Sequence, residues 1–251
     1  MVSSASENLT RLLVLIGLFI IWQLVVQLVQ PELLPSPVQV LEQLMVEIAN
    51  GDLVYHLLVT LKRVAISFAI AMIFGFIIGA LMGWFQWVNL LLDVPMTLAL
   101  NIPALVVIII CYIWFGLNDS VAILAVVLNK TPMVIITIRD GVKAIDRGLL
   151  EVAKVFNMSH LKTFWNVLLP QLYPFILSCV RNGLSLIWKI VLVVELIGCS
   201  NGVGFKLGVF FQYFDIAKIF AYTFAFVICI LLIETLIVQP LERRSHRWRH
   251  G

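Results

Sequence analysis

Long apolar runs, separated by short polar stretches, dominate the pattern of the chain. A helix needs about 20 mostly apolar residues to cross a bilayer. Segments of that kind lie roughly at Leu12–Val29, Leu57–Met82, Leu91–Phe115, Val121–Ile138, Leu172–Ile197 and Ile216–Val238. The pattern therefore predicts an all-α polytopic membrane protein with about six transmembrane helices.

The lysines and arginines orient these spans, because cytoplasmic loops carry an excess of both residues. With both termini cytoplasmic, the inner basic residues are Arg11, Arg139, Lys143, Arg147, Lys154, Lys162, Arg243, Arg244, Arg247 and Arg249. The outer ones are only Lys62, Arg63, Lys206 and Lys218. The excess favours cytoplasmic termini, with Met1–Thr10 and Glu242–Gly251 as polar tails. Lys62 and Arg63 are then expected to extend to the outer interface.

The outer loop, residues 30–56, contains a shorter pattern. Apolar residues at helical spacing over Val38–Ala49 follow Pro35 and Pro37 and precede Asn50-Gly51, which predicts a short interfacial helix. No repeat or linker divides the sequence. Residues 1–251 are therefore expected to form a single transmembrane domain.

Composition supports lipid as the main solvent of the chain. Charged residues make up 12% of it and mean hydropathy is +1.05, whereas soluble domains contain about 25% charged residues. A net charge of +3 gives no indication of a nucleic-acid partner. The four cysteines do not have the spacing of a metal or redox site, so we expect no metal.

The most distinctive polar segment is residues 139–170, between the fourth and fifth spans. Its apolar side is supplied by Leu149, Leu150, Val152, Ala153, Val155 and Phe156, and its polar side by Arg147, Glu151, Lys154 and Lys162. Asp146 can cap the first helix, and Asn157 after it suits a left-handed backbone. Ser159 is expected to cap a second helix, Leu161–Leu168. Pro170 is expected to mark the turn into the fifth span.

The order Glu151, Ala153, Asn157 and Leu169-Pro170 closely resembles the EAA loop of ABC importer permeases, with asparagine in place of the family's glycine. Further motifs are similar to those of the nitrate, sulfonate, taurine and bicarbonate importers. They are Leu34-Pro35-Ser36-Pro37, His56 to Arg63, Ile102-Pro103-Ala104, Trp114-Phe115-Gly116-Leu117, Gly141-Val142 to Asp146, Val194-Glu195, Gly202-Val203-Gly204-Phe205 and Leu241-Glu242-Arg243-Arg244.

This resemblance implies the type I ABC importer permease fold and a place in the bacterial inner membrane. It also implies two ABC ATPase subunits, a periplasmic or lipid-tethered solute-binding protein and a second permease copy. Residues 139–170, termed the docking segment from here on, would seat on the ATPase through Glu151, Ala153, Asn157, Leu169 and Pro170. ATP and magnesium would bind the ATPase, because this chain has no P-loop. We expect no cofactor and no catalytic residue here.

Charged residues within the predicted spans are candidates for the pathway, because a charge in lipid is costly. Lys130, Lys189 and Glu195 are the candidates. Lys189 would either contact a passing anion or join a structural ion pair. Gly75, Gly79 and Gly83 recur every four residues, which predicts close helix packing within one subunit or across a dimer. Asn101, Pro103 and Pro132 interrupt two spans.

The substrate class remains open between two groups. A small anion such as a sulfonate, taurine, nitrate or bicarbonate is the main interpretation, and a neutral pyrimidine-type precursor is the alternative. A self-contained secondary transporter using Lys189, Glu195 and Glu234 is a further alternative, although no inverted repeat is seen. A membrane enzyme is disfavoured, because no histidine lies inside a predicted span.

Overall fold

The computed structural model describes residues 4–29, 34–49 and 51–240, and over these residues every regular element is a helix. The elements are α1 (Ser4–Val29), α2 (Pro37–Ala49), α3 (Leu53–Trp84), α4 (Gln86–Asn101), α5 (Ala104–Phe115), α6 (Asp119–Lys143), α7 (Arg147–Val155), α8 (His160–Thr163), a π-turn (Phe164–Leu168), α9 (Leu169–Gly198), α10 (Val203–Gln212), α11 (Ile216–Ile233) and a second π-turn (Glu234–Val238). The all-α class is confirmed. The predicted tail Glu242–Gly251 lies outside the described residues, whereas α1 begins at Ser4, within the predicted tail Met1–Thr10.

Several of these helices have the length and composition of membrane spans. Among the described residues, α3, α6, the continuous unit His160–Gly198 and the unit Ile216–Leu236 each qualify alone. The pair α4 and α5 qualifies only when both helices are taken together, and α1 contributes the shorter apolar helix Ile16–Val29. The total of six spans stays a prediction.

The interruption that Asn101 and Pro103 predict within the span Leu91–Phe115 is present as a sharp bend. The helix breaks after Asn101, and α5 leaves at 99° to α4. Ile102 has extended backbone angles, φ −74° and ψ 125°, because the ring of Pro103 disfavours a helical residue before it. The other predicted interruption, Pro132, is buried within α6, which continues through it.

The predicted turn at Pro170 is also absent. The helix that begins at His160 runs through the π-turn into α9 without a loop. In the π-turn, the Leu169 N–H donates to the Phe164 carbonyl, five residues back. Pro170 is the second residue of α9, where a proline is tolerated. The π-turn therefore replaces the loop that the proline suggested.

The three recurring glycines of α3 pack against α6 of the same chain. A Cβ atom added to Gly79 would lie 2.5 Å from the Ile135 carbonyl oxygen, and one added to Gly83 would meet the side chain of Val142. Gly75 is equally close to the side chain of Val134. Because α3 and α6 touch at their backbones, they form a rigid pair on which α9 packs.

On the side that the lysine and arginine distribution predicts to be outer, termed the outer side from here on, two short helices cover the ends of the long ones. The helix predicted over Val38–Ala49 is confirmed as α2, and the Tyr222 hydroxyl of α11 donates to Glu47 of α2 over 3.1 Å. The second short helix, α10, has no counterpart among the predicted elements. It packs mainly on α9 and α11, with its first residue, Val203, fully buried.

Candidate functional site

The docking segment begins with a well-capped helix. The Asp146 carboxylate accepts a hydrogen bond from the Gly148 N–H over 2.8 Å at the start of α7. The Asp146 N–H donates to the Gln171 side-chain oxygen over 2.8 Å, which ties this start to α9. Asp146 therefore has the capping role that the sequence predicts and also fixes where α7 leaves the membrane helices.

The end of α7 is closed by a Schellman motif. Asn157 has φ of 47°, the left-handed conformation that its position in the sequence predicts. The Asn157 N–H donates to the Lys154 carbonyl over 2.9 Å, and the Met158 N–H donates to the Ala153 carbonyl over 3.0 Å. Ser159 then accepts from the Lys162 N–H over 3.4 Å and starts the next helix.

The docking segment presents an uncovered apolar surface. Ala153 is the one buried residue of α7, while Val155 and Phe156 are 79% and 75% exposed. Glu151 is exposed on the same helix, and Pro170 is exposed at the start of α9. Leu169 beside it is half-buried. Large apolar side chains exposed next to a charge are typical of a surface that binds another protein.

A cavity of about 300 Å³ separates α7 from the inner ends of α3 and α6. It is lined by Gly83, Trp84, Val142, Lys143, Ile145, Arg147, Leu150, Glu151 and Lys154. The docking segment is therefore loosely packed on the membrane helices along one side and anchored mainly where the chain enters and leaves it.

The outer end of the molecule holds a buried ion-pair network. Arg63 and Glu195 are 3% and 0% exposed, and Arg63 Nη1 donates to Glu195 Oε1 over 2.7 Å. Arg63 Nη2 pairs with Asp119 Oδ1 over 2.6 Å and also donates to the side-chain oxygen of Asn201. The prediction that Arg63 extends to the outer interface is wrong, because buried Glu195 on α9 and partly buried Asn201 on the neighbouring loop hold its side chain inside the protein.

The second oxygen of Glu195 is also satisfied. It accepts from the Thr60 hydroxyl and from the Gly204 N–H, each over 2.9 Å. A Cβ atom on Gly202, whose φ is 105°, would overlap the Glu195 carboxylate. The residues Thr60, Arg63, Asp119, Glu195, Asn201 and Gly204 are termed the outer network.

Three separate sequence motifs meet in this outer network. The motif from His56 to Arg63 lies in the first turns of α3, and Val194-Glu195 lies near the end of α9. The motif from Gly202 to Phe205 forms the start of α10. The Gly202 N–H also donates to His56 Nδ1 over 2.9 Å. Sequence reasoning singled out each motif but not their convergence. The pairing of Glu195 with Arg63 was missed, although both were recognised as charges in apolar surroundings.

The two lysines proposed for the pathway lie in different surroundings. Lys130 is 5% exposed, and its described polar contact is Nζ to Met133 Sδ at 3.9 Å. Lys189 is exposed on α9. Glu195 and Lys189 are not brought together, since Glu195 is enclosed by the outer network. The predicted candidates therefore separate into one enclosed carboxylate and two lysines without a described acidic partner.

The chain matches known proteins over most of its length. Residues 71–243 match the family of the binding-protein-dependent transport system inner membrane component. The putative aliphatic sulfonates transport permease protein SsuC of Escherichia coli is 32% identical over 93% of this chain and 89% of its own. The taurine transport system permease protein TauC of Escherichia coli is 30% identical, over 90% and 83%. The nitrate import permease protein NrtB of Synechocystis is 27% identical, over 75% and 71%.

A solved structure supports the same fold. A chain of the MetNI methionine ABC transporter in an inward-facing conformation aligns with a TM-score of 0.55 and 15% identity. The alignment covers 78% of this chain and 93% of that one. At this identity the likeness shows a shared fold only.

Proposed function

The chain belongs to the binding-protein-dependent family of ABC importer permeases in the inner membrane, and we propose that it forms the translocation pathway for a small anion. Relatives named for aliphatic sulfonates and for nitrate support a negatively charged substrate. Two lysines without a described acidic partner, Lys130 and Lys189, also favour an anion over a neutral pyrimidine-type precursor.

We infer that the energy for transport comes from partner subunits. The family consists of transport permeases rather than catalytic subunits, and its name refers to dependence on a binding protein. In our proposal, two ATPase subunits bind ATP and magnesium, and a periplasmic or lipid-tethered protein delivers the solute. A second copy of this chain completes the pathway. This chain itself would hold no cofactor.

The observation that carries the proposal is the uncovered apolar surface of the docking segment. Val155 and Phe156 are exposed at the end of α7, and Glu151 lies one turn before Val155. In the proposal, these side chains enter a cleft of the ATPase, with Glu151 accepting hydrogen bonds from an arginine or from backbone amides of the partner. ATP binding would move the ATPases together and tilt the permease halves to the outward-open state, and hydrolysis would reset them.

The test is co-purification of the full-length permease with its candidate ATPase. Wild type is compared with Glu151→Ala and Glu151→Lys, and Glu42→Ala is the matched control. Glu42 is likewise exposed on a short helix, but on the outer loop. We expect wild type and the control to retain the ATPase, Glu151→Ala to weaken binding, and Glu151→Lys to weaken it further.

Two outcomes would contradict the proposal. If wild type retains no ATPase, the chain does not work as an ABC permease. If both Glu151 variants retain the ATPase as well as the control does, and solute uptake stays coupled to ATP hydrolysis, the charged contact lies elsewhere. In each case the amount of folded permease in the membrane is measured first, so that loss of binding is not confused with loss of protein.

A further inference from the structure

One side of α9 carries a row of polar side chains at the depth of the membrane. Ser178, Asn182, Ser185 and Lys189 follow one another at spacings of four, three and four residues, so they share one face of the helix. The last three are exposed, and Asn182 Nδ2 donates to Ser178 Oγ over 3.2 Å. These four residues are termed the polar stripe. The other side of α9 is buried in the apolar core.

Lipid is an unsuitable neighbour for such a surface. The span α11 shows what a lipid-compatible surface looks like, because over its inner half the exposed residues are apolar, namely Val227, Ile228, Leu231 and Leu232. Polar and ionisable residues within spans usually face a water-filled cavity or other protein. The polar stripe is therefore expected to face an aqueous space.

Lys130 of α6 lies at nearly the same depth as Lys189. The helices are antiparallel, and Gly141 of α6 packs against the ring of Phe175 of α9. Counting outward from that contact at 1.5 Å per residue, the Cα atoms of Lys130 and Lys189 differ by only about 4.5 Å along the axis. Two lysines on adjacent helices therefore lie within one helical turn of each other in depth.

The polar stripe lies on the side of α9 away from α3, and Lys130 lies on the face of α6 that meets α9. The helix α3 packs on the other side, with Gly75 against Val134 of α6 and Phe68 near Gly183 of α9. Viewed along the axis of α9, Gly183 lies more than about 100° around the helix from the centre of the polar stripe. Lys130 lies eleven residues before Gly141, about three full turns, so both are on the face of α6 that meets Phe175 of α9. The polar stripe therefore points away from α3, and Lys130 lies on the side of α6 that faces α9.

No carboxylate of the described residues neutralises these lysines. Neither lysine takes part in a salt bridge there, and the nearest acid along α9, Glu195, is bound by Arg63. The outer network thus occupies the one acidic side chain of α9, which is therefore not available to cancel the positive charge of the polar stripe. Paired basic side chains flanked by hydroxyl and amide donors are the groups that bind oxyanions.

We infer that the polar stripe and Lys130 form the anion-binding face of the pathway. The two ammonium groups attract a sulfonate or a comparable oxyanion, and Ser178, Asn182 and Ser185 donate hydrogen bonds to its oxygens. This inference rests on the proposed permease function and adds which residues contact the substrate. The polar stripe would face the pathway axis, where a second copy of the chain would present the same residues.

A thiol-accessibility experiment tests the inference without knowledge of the substrate. In full-length protein in which the four native cysteines are replaced by alanine, Ser185→Cys is exposed to 2-sulfonatoethyl methanethiosulfonate, an anionic thiol reagent. Leu231→Cys on the lipid-compatible surface of α11 is the matched control. We expect Ser185→Cys to react much faster than the control. Adding Lys189→Glu should slow the reaction about tenfold or more, the size of one lost charge-assisted contact.

Uptake in cells completes the test, with taurine, ethanesulfonate and nitrate as probes. Lys189→Ala and Lys130→Met are expected to lower uptake about tenfold, whereas Lys189→Arg retains most of it. Lys62→Ala, an exposed lysine away from the polar stripe, serves as control. Equal reactivity of Ser185→Cys and Leu231→Cys, or unchanged uptake in both lysine variants, would overturn the inference.

The two proposals fail separately. If wild type retains its ATPase but Ser185→Cys is no more reactive than the control, the permease function stands and the polar stripe is not the pathway. If Ser185→Cys reacts in a charge-dependent way but no ATPase is retained, the anion-binding face stands and the ABC function fails.

Discussion

The outer and inner ends of the molecule treat their charged residues in opposite ways. At the outer end, Arg63 and Glu195 are buried and joined by a 2.7 Å contact, and both carboxylate oxygens of Glu195 have partners. At the inner end, Glu151 is exposed beside the exposed Val155 and Phe156. The outer end pairs its buried charges within one chain, whereas the inner end leaves its charged and apolar contact groups uncovered.

This difference indicates which free energy each end contributes to, the stability of the free chain at the outer end and the binding of a partner at the inner end. A buried ion pair that loses one member leaves an uncompensated charge, so changes in the outer network should act on the stability of the free chain. The exposed side chains of the docking segment make few contacts in the free chain, so substitutions there should mainly weaken the binding of a partner. The predictions below are ordered by their expected effect on the stability of the permease alone.

The largest effect is expected for Glu195→Ala, which leaves Arg63 buried with a weaker set of acceptors. We expect the free energy of unfolding to fall by about 3–5 kcal/mol. Thermal unfolding of the detergent-solubilised protein measures it, with the exposed neighbour Lys62→Ala as control. A double variant, Arg63→Met with Glu195→Leu, should recover part of the loss. Equal unfolding temperatures for Glu195→Ala and Lys62→Ala would remove the distinction between the two ends.

The second-largest loss of stability is expected at the contact between α3 and α6, the two helices that run between the outer and inner ends of the molecule. Gly79→Ala places a methyl group 2.5 Å from the Ile135 carbonyl oxygen, so the helices must separate. We expect a loss of about 1–3 kcal/mol. Gly17→Ala is the matched control, because nothing lies within 4 Å of a Cβ atom there. A stable Gly79→Ala variant would show that the two helices part easily.

A smaller effect is expected at the end of α7. Asn157→Val forces a β-branched residue into a left-handed conformation, which costs about 1–2 kcal/mol, whereas Asn157→Gly fits it. We expect the valine variant to bind the ATPase roughly 5- to 30-fold more weakly, the factor that corresponds to this cost. The glycine variant should bind like wild type. Comparable binding by both variants would mean that the Schellman motif does not position the docking segment.

The smallest effect on the free permease is expected for Phe156→Ala. The side chain is 75% exposed, so its removal should change the free energy of unfolding by no more than about 0.5 kcal/mol. ATPase co-purification should nevertheless fall clearly, because the same ring would be covered in the complex. A variant that loses stability but keeps the ATPase would reverse the comparison between the two ends.

Features set by neighbouring residues could be predicted from the sequence. The helix α2, the cap at Asp146 and the left-handed Asn157 each depend on a few adjacent side chains, and the structure has all three. The apolar runs also predict the all-α class, because in lipid the backbone N–H and C=O groups of a helix are hydrogen-bonded within the helix itself. Local physics is sufficient for these features.

Features set by distant residues could not be predicted in the same way. Arg63 and Glu195 are 132 residues apart, so their pairing depends on how α3, α9 and α10 pack. The break at Pro103 was visible, but its 99° angle is not determined by the proline alone. The π-turn before Pro170 inserts one extra residue into a turn, and nothing in the local pattern distinguishes it from a loop.

The continuity of the helix from His160 to Gly198 has a mechanical consequence. Its 39 residues make a rod about 58 Å long, which begins in the docking segment and ends three residues beyond Glu195. A pivot of about 5° moves one end relative to the other by roughly 5 Å, a distance close to one helical turn. In the proposed function the rod would work as a lever, held at its outer end by a buried ion pair and pushed at its inner end through the docking segment. The polar stripe lies between, so a push from the cytoplasm would change the width of the pathway without any hinge within the membrane.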